Sequence, residues 1–245
     1  MIPVATKGLS TEVMSNISRA KDNEFTLVYF PFHGVVPTLR AILAMYAKKY
    51  TFASPEDWVS LKPNTPFGHV PVLYETTATG ETLELAEHSV QEFYLGKKFG
   101  LVGSNDWEEQ LIRSYTCSTE ALYESFVISV IRAPKELQTQ MSQLFINKQI
   151  PEWAEFHERA LKANGSNGHY VGDKMSVADI KTATVLDTMR VISGDKFISR
   201  EKTPAIMTLY NCVEQDPKYV AWKASDEWKA FTKGTIEKFN LISFE

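Results

Sequence analysis

The chain changes character at Phe25, where strand blocks begin, and again after Gly103, where they stop. Between the two, apolar residues come in short β-branched and aromatic blocks broken by turns. Beyond Gly103 they recur only at helical spacing. FTLVYF (25–30) is a strand block. A turn from Pro31 to Gly34 follows, and Pro37 suits the first turn of a helix over 37–48 that carries Leu39, Ile42, Leu43, Tyr46 and Ala47 on one face. YTFA (50–53) is a second short strand. TPFGHVPVLYE holds a third, with Pro71 at its start; TTATG turns the chain and ETLEL returns it as a hairpin partner. A helix over 87–98 closes the segment before Gly100. The order β-α-β-(loop or helix)-β-β-α predicts an α/β unit with mixed strand directions.

The remainder predicts helices alone. Asn105 or Asp106 can cap a long one bearing Leu111, Ile112, Tyr115, Leu122, Tyr123, Phe126 and Val130, ended by Pro134. Leu137, Met141, Leu144 and Phe145 mark another, and Pro151 with Trp153, Phe156 and Leu161 marks its continuation or a kink. After the loop NGSNGHYVG, SVADIKTATVLDTMRVI opens with Ser176-x-x-Asp179, a carboxylate variant of the capping box. Helical stretches near 203–214 and 216–231 follow. The expected organisation is an extension over 1–24, with a short helix signal after Ser10, then an α/β domain over 25–103 and an all-helical domain over 104–245.

Charge excludes some functions. Lys plus Arg total 26 against 30 Asp plus Glu, a net charge of -4, with no basic cluster to meet nucleic acid or an anionic membrane. No stretch approaches the ~20 apolar residues of a membrane span. The N-terminus lacks an apolar leader core, so a cytoplasmic location is expected. Cys117 and Cys212 fall in different predicted helices and read as reduced thiols. HExxH, CxxC, GxGxxG, Walker A and GxSxG patterns are absent, and the histidines show no metal-ligand spacing, so no metal is expected.

The runs LVYFPFHG, W-x3-K-P-N-TPFGHVPVL and TLELAEHSVQEFYLGKKFGLVG resemble the first domain of the glutathione transferase family, nearest its sigma type, which includes glutathione-dependent prostaglandin D synthases. GHYVGDKMSVADI and DPKYVAWK resemble its helical second domain. The resemblance implies a thioredoxin-like N-terminal domain, an all-α C-terminal domain and a homodimer, with Phe67 as its apolar key. It implies glutathione as substrate and a hydrophobic small molecule as the second partner. The activity would be attack of the glutathione thiolate on an electrophile; alternatives are a prostaglandin synthase-like isomerase and a non-catalytic binding or structural protein.

By the same resemblance Tyr29 is the catalytic tyrosine, although its residue type and place also suit a core strand tyrosine. A free thiol ionises near pH ~8.5, and a hydroxyl donating to sulfur favours the thiolate. Neither Cys nor Ser stands in the PFHGVVP turn, which fits the tyrosine type. Val70 precedes the family's cis-proline, Pro71, and would pair its backbone with the cysteinyl part of glutathione. Trp58 and Lys62 match positions that hold the glycyl carboxylate. Glu87 and His88 open the third helix of that domain, where a helix N-terminus suits the γ-glutamyl carboxylate. Phe32, His33, Tyr115 and Thr119 are the expected electrophile pocket. His88 in place of the usual Ser, Val35 in place of a frequent Arg, and Ser114 in place of a frequent Asp depart from the family pattern.

Overall fold

The computed structural model describes residues 2–239. These form two compact units. One comprises the chain up to Gly100 together with Ala221–Gly234; the other comprises Leu101–Val220 and the residues from Thr235 on. This division differs from the sequence expectation, which leaves 221–234 with the helical domain.

The first unit is built on a four-stranded sheet of β1 (Glu24–Val28), β2 (Lys49–Ala53), β3 (Val72–Thr76) and β4 (Thr82–Ala86), in the order β2-β1-β3-β4. β2 runs parallel to β1, while β3 is antiparallel to both β1 and β4. The parallel pair requires a crossover, and the helix α2 (Pro37–Tyr46) supplies it, with Pro37 in its first turn. Register places Phe25 and Leu27 opposite Glu75 and Leu73, on one face. α2 and α4 (His88–Phe99) pack together, and Leu39, Ile42, Leu43 and Leu95 are fully buried with Phe25, Leu27 and Leu73. The alternate residues Val28, Val72 and Tyr74 form a smaller cluster on the opposite face with Ile2, Ala53, Leu61 and Val70.

The N-terminal extension is tied into this unit. Its helix α1 (Thr11–Arg19) is capped by Ser10, whose hydroxyl accepts from the Val13 N–H. Thr6 and Thr82 exchange two bonds, Thr6 N–H to the Thr82 carbonyl at 2.9 Å and Thr82 N–H to the Thr6 hydroxyl at 3.0 Å, so the extension covers part of the β4 edge. A buried ion pair completes the attachment. Lys98 Nζ donates to Glu75 at 2.6 Å and to the carbonyls of Ile17 at 3.3 Å and Ala20 at 2.5 Å, the last residues of α1 and its exit. Asn23 donates to Glu75 and to Ile17 O, and the Tyr94 hydroxyl donates to the second Glu75 oxygen.

The second unit contains helices only: α5 (Asp106–Phe126), α6 (Lys135–Leu144), α7 (Ile150–Ala163), α8 (Val177–Ser193) and α9 (Pro204–Glu214). Asn105 caps α5 through the Trp107 and Glu108 N–H groups. A π-helical turn over Phe145–Gln149 joins α6 to α7, so Pro151 stands in the first turn of α7, where its missing N–H costs nothing. The expected box at α8 forms: Asp179 accepts from the Ser176 and Tyr170 N–H groups, at 2.8 and 3.0 Å. Beneath it His157 is buried, stacked on Trp153 at 4.2 Å, with Nδ1 2.6 Å from the Tyr170 hydroxyl and Nε2 2.9 Å from the Ser118 hydroxyl. Thr182 also donates to the Tyr170 oxygen, at 3.2 Å. Burial pushes the imidazole down to about 4. Two further helices follow, α10 (Pro217–Ala224) and α11 (Asp226–Phe239).

Replacing Lys98 by Met keeps the aliphatic stem and removes the charge, leaving the Glu75 carboxylate enclosed without a cation. We expect Lys98→Met to lower unfolding free energy by about 3–5 kcal/mol, and Lys98→Met with Glu75→Leu to recover most of the loss, both read from urea denaturation.

Candidate functional site

Most of the residues expected from the sequence to meet a ligand lie in the first unit, on the turns and first helical residues next to the strands. Tyr29 follows β1 directly and extends its pairing, donating its N–H to the Ala53 carbonyl at 3.0 Å. Its side chain is buried, and the Val35 N–H donates to its hydroxyl oxygen at 3.5 Å. The turn closes over that hydroxyl through Gly34, at φ 47°, where a Cβ would lie 2.4 Å from the Tyr29 oxygen. Only glycine fits there. Phe32 packs edge-on against Tyr29 at 5.6 Å, and Phe30 meets both Tyr29 and Trp58, at 5.7 and 5.6 Å. Tyr29 and Trp58 are thus linked through one ring.

Trp58 opens the short helix α3 (Trp58–Leu61), which Asp57 caps through the Val59 and Ser60 N–H groups. Lys62 lies exposed just beyond it, its stem beside Gly68. The Val70–Pro71 bond is cis, and Val70 stands outside the strand ladder, which begins at Val72. Buried Gln91 pins this corner, its amide donating to Pro71 O at 3.1 Å and Leu85 O at 2.7 Å. Glu87 holds φ at 68° to swing the chain from β4 into α4, a region that costs non-glycine residues energy and often marks a ligand site. α4 opens without a side-chain cap, and His88 is its first residue. Glu87 also meets His69, carboxylate to Nε2 at 3.5 Å, with both side chains about half exposed.

The expected electrophile-facing residues divide. Phe32 and His33 lie on the Tyr29 turn, but the His33 ring is taken up by Trp228 and Phe231, each at 5.9 Å, and its Nε2 meets the Thr232 hydroxyl at 3.2 Å. Desolvation, with Arg40 as a second cause, drives this imidazole down to about 3. In the second unit Tyr115 stacks on Tyr170 at 4.5 Å. Thr119 has 0 % of its surface exposed, and its hydroxyl meets that of Thr182 at 3.2 Å. Thr119 is therefore a packing residue and offers no wall to a ligand. Ser114 is exposed and bonds back to the Gln110 carbonyl.

Three residues at this site went unnoticed in the sequence. His69 is the partner of Glu87, and Gln91 holds the cis-proline corner. Arg40 is the third. Its guanidinium is buried, donates to Phe32 O at 2.7 Å and Phe30 O at 3.0 Å, and lies 3.5 Å from the Phe231 ring centroid and 5.9 Å from that of Tyr29. Burial lowers it to about 9. The available signal was one cation set in the apolar run LRAIL.

Residues 121–226 match a family model described as the C-terminal domain of glutathione S-transferase. Glutathione S-transferase 4 of Caenorhabditis elegans is 27% identical over 210 residues, 80% of this chain and 95% of its own. The class-mu 28 kDa glutathione S-transferase isozyme of Schistosoma japonicum is 25% identical over 182 residues, 74% and 86% of the two chains. Among solved structures, prostaglandin synthase D of Nilaparvata lugens superposes with a TM-score of 0.70 at 26% identity, covering 83% of this chain and 98% of that one. A sigma class transferase of Fasciola hepatica superposes with the same TM-score at 23% identity, covering 84% and 99%.

The strain at residue 87 can be measured without a ligand. Glu87→Ala and Glu87→Gly both lose the carboxylate, and only the alanine retains the penalty of positive φ. We expect the glycine variant to be the more stable by about 1 kcal/mol in urea denaturation; equal midpoints would mean that residue 87 relaxes in solution.

Proposed function

The chain belongs to the glutathione transferase family, and from that premise we propose that Tyr29 activates the thiol of bound glutathione for attack on a hydrophobic electrophile. The observation that carries this is the Tyr29 turn. A phenolic oxygen that accepts the Val35 N–H aims its own proton away from that donor, and Gly34 leaves the hydroxyl room to be approached by backbone alone. A hydroxyl proton donated to sulfur stabilises the thiolate. Lowering the thiol by two pKa units corresponds to about 2.7 kcal/mol, within reach of one or two charge-assisted hydrogen bonds. Nucleophilicity falls with pKa, so the gain in rate is smaller than the gain in thiolate. The thiolate then forms the C–S bond, and the electrophile releases its leaving group or takes up a proton.

The remaining positions would hold the tripeptide. Val70 offers backbone groups outside the ladder to the cysteinyl segment, Trp58 and Lys62 offer an indole N–H and an ammonium to the glycyl carboxylate, and the head of α4 with His88 suits the γ-glutamyl carboxylate. Glu87, steadied by His69, would take the α-ammonium. The likeness to a prostaglandin synthase favours a second reading, in which the same thiolate bonds to the substrate, is expelled as the isomerised product forms, and so leaves glutathione unconsumed. Calorimetric glutathione binding together with turnover of a chromogenic aryl halide supports conjugation, and binding without turnover supports isomerisation. Absence of binding would leave a non-catalytic relative.

Tyr29→Phe keeps the ring and loses the proton donor. We expect the ultraviolet titration of bound thiol to move toward ~8.5 and kcat/KM at pH 7 to fall about tenfold to hundredfold. An unchanged thiol titration and rate would make Tyr29 a core residue only.

We also place the chain in the cytoplasm and in a homodimer, on family membership and on Phe67, an apolar side chain 66% exposed in the TPFG loop. Phe67→Ser is expected to shift sedimentation toward the 27.7 kDa monomer at micromolar concentration. A wild-type protein that already sediments as a monomer would overturn the dimer.

A further inference from the structure

The C-terminal helix α11 meets the back of the Tyr29 turn with its own backbone. A Cβ added to Gly234 would stand 2.2 Å from the Pro31 carbonyl oxygen and 3.4 Å from Phe32 Cβ. A glycine inside a helix ordinarily costs stability relative to alanine, and here a close approach explains it. Three residues earlier the Phe231 ring has Arg40 over it, 3.5 Å from ring centroid to guanidinium carbon. Arg40 in turn binds Phe30 O and Phe32 O, the carbonyls that flank Pro31. Thr232 meets His33, the next residue of the same turn. Residues 30–33 are thus held by Arg40 at the Phe30 and Phe32 carbonyls, by Gly234 at Pro31, and by Phe231 and Thr232 at His33. The turn they belong to delivers Gly34 and Val35 to the Tyr29 hydroxyl.

We propose that Gly234 and Phe231 are positioning residues of the thiol site: α11 sets the height of the Pro31–Phe32 turn, and through it the Val35 N–H and the direction in which the Tyr29 hydroxyl donates its proton. This rests on the assignment of Tyr29 as the thiol-activating group. The charged and titratable groups around the clasp are Arg40, His33 and Tyr29 itself, with Glu227 and Lys223 acting on them through space. None of them contributes to the grip that Gly234 makes, which is steric and independent of pH. The residues proposed to hold the tripeptide lie on α3, the cis-proline loop and α4, away from Gly234 in the chain. Moving the turn should therefore change how the thiol ionises more than how tightly glutathione is held.

The experiment compares wild type, Gly234→Ala and Phe231→Leu as full-length proteins. Amide NMR of the ligand-free proteins reads the clasp directly: both substitutions should shift the Gly34 and Val35 resonances and leave those of β3 and β4 in place. With glutathione bound, the thiolate absorbance of Gly234→Ala should titrate at least half a pH unit higher than wild type. Its kcat should fall at least threefold, with KM for glutathione changed less than twofold. Phe231→Leu, which adds no steric conflict, guards against a Gly234→Ala chain that fails to fold. Unmoved Gly34 and Val35 resonances in either folded variant overturn the clasp. Moved resonances with an unchanged thiol titration show that the turn does not govern the thiol, and also overturn it. A wild type that never lowers its bound thiol, with resonances that move as expected, refutes the role of Tyr29 and leaves α11 as the support of the turn only.

Discussion

A guanidinium group taken out of water must find partners for its donors inside the protein, or the cost of burying it falls on the fold. Arg40 meets part of that demand, its two terminal nitrogens donating to main-chain carbonyls of the segment that leaves β1 and its carbon lying over an aromatic ring of α11, while its Nε finds no hydrogen-bond partner among the described residues. Because carbonyl oxygens are aimed by their backbone, satisfying Arg40 constrains the path of residues 30–32 more tightly than apolar packing would. The segment that leaves β1 toward α2 and the Phe231 ring of α11 both meet this one cation. Its lowered pKa reports the same fact as an energy: the charge is tolerated in the core at a cost.

A second buried cation serves the other end of the sheet. Lys98 and Glu75 tie the exit of α1 to β3 and α4, with Asn23 and Tyr94 completing the carboxylate's partners. Such a pair adds little net stability compared with apolar residues of equal volume, yet it fixes where a segment must dock. The candidate ligand positions sit on corners that these cores hold rigid: a cis-proline bend pinned by Gln91, a strained Glu87 at the head of a helix, a hydroxyl under a glycine turn. Strained geometry of this kind persists only where the surroundings over-determine it.

Features set by short-range chemistry were legible in the sequence. Pro37 in a first helical turn, Asn105 and Ser176 as caps, and the turn before β4 all act on neighbours within a few residues, and the structure has each of them. The buried polar groups were not legible. Arg40, Lys98 and Gln91 bond to carbonyls outside their own helical turns; only the apolar run LRAIL around Arg40 hints at enclosure, and nothing near Lys98 or Gln91 does. Helical spacing put Tyr115 on an apolar face, but spacing cannot say what covers that face. Tyr170 and Thr182 proved to be what meets Tyr115 and Thr119. The π-helical turn before Pro151 was ambiguous for a related reason: the proline signals a boundary, and whether the chain bends or continues depends on packing.

Each unit holds one histidine that the fold keeps neutral, His33 at about 3 and His157 at about 4. An unfolded chain binds a proton at these imidazoles near pH ~6.5, so between that value and about 4 the denatured state takes up protons that the native state refuses. Folding stability therefore declines on acidification through this window, by about 1.4 kcal/mol per pH unit for each histidine, and no such penalty applies above it. Because the two groups belong to different units, the sheet domain and the helical domain each carry this acid penalty.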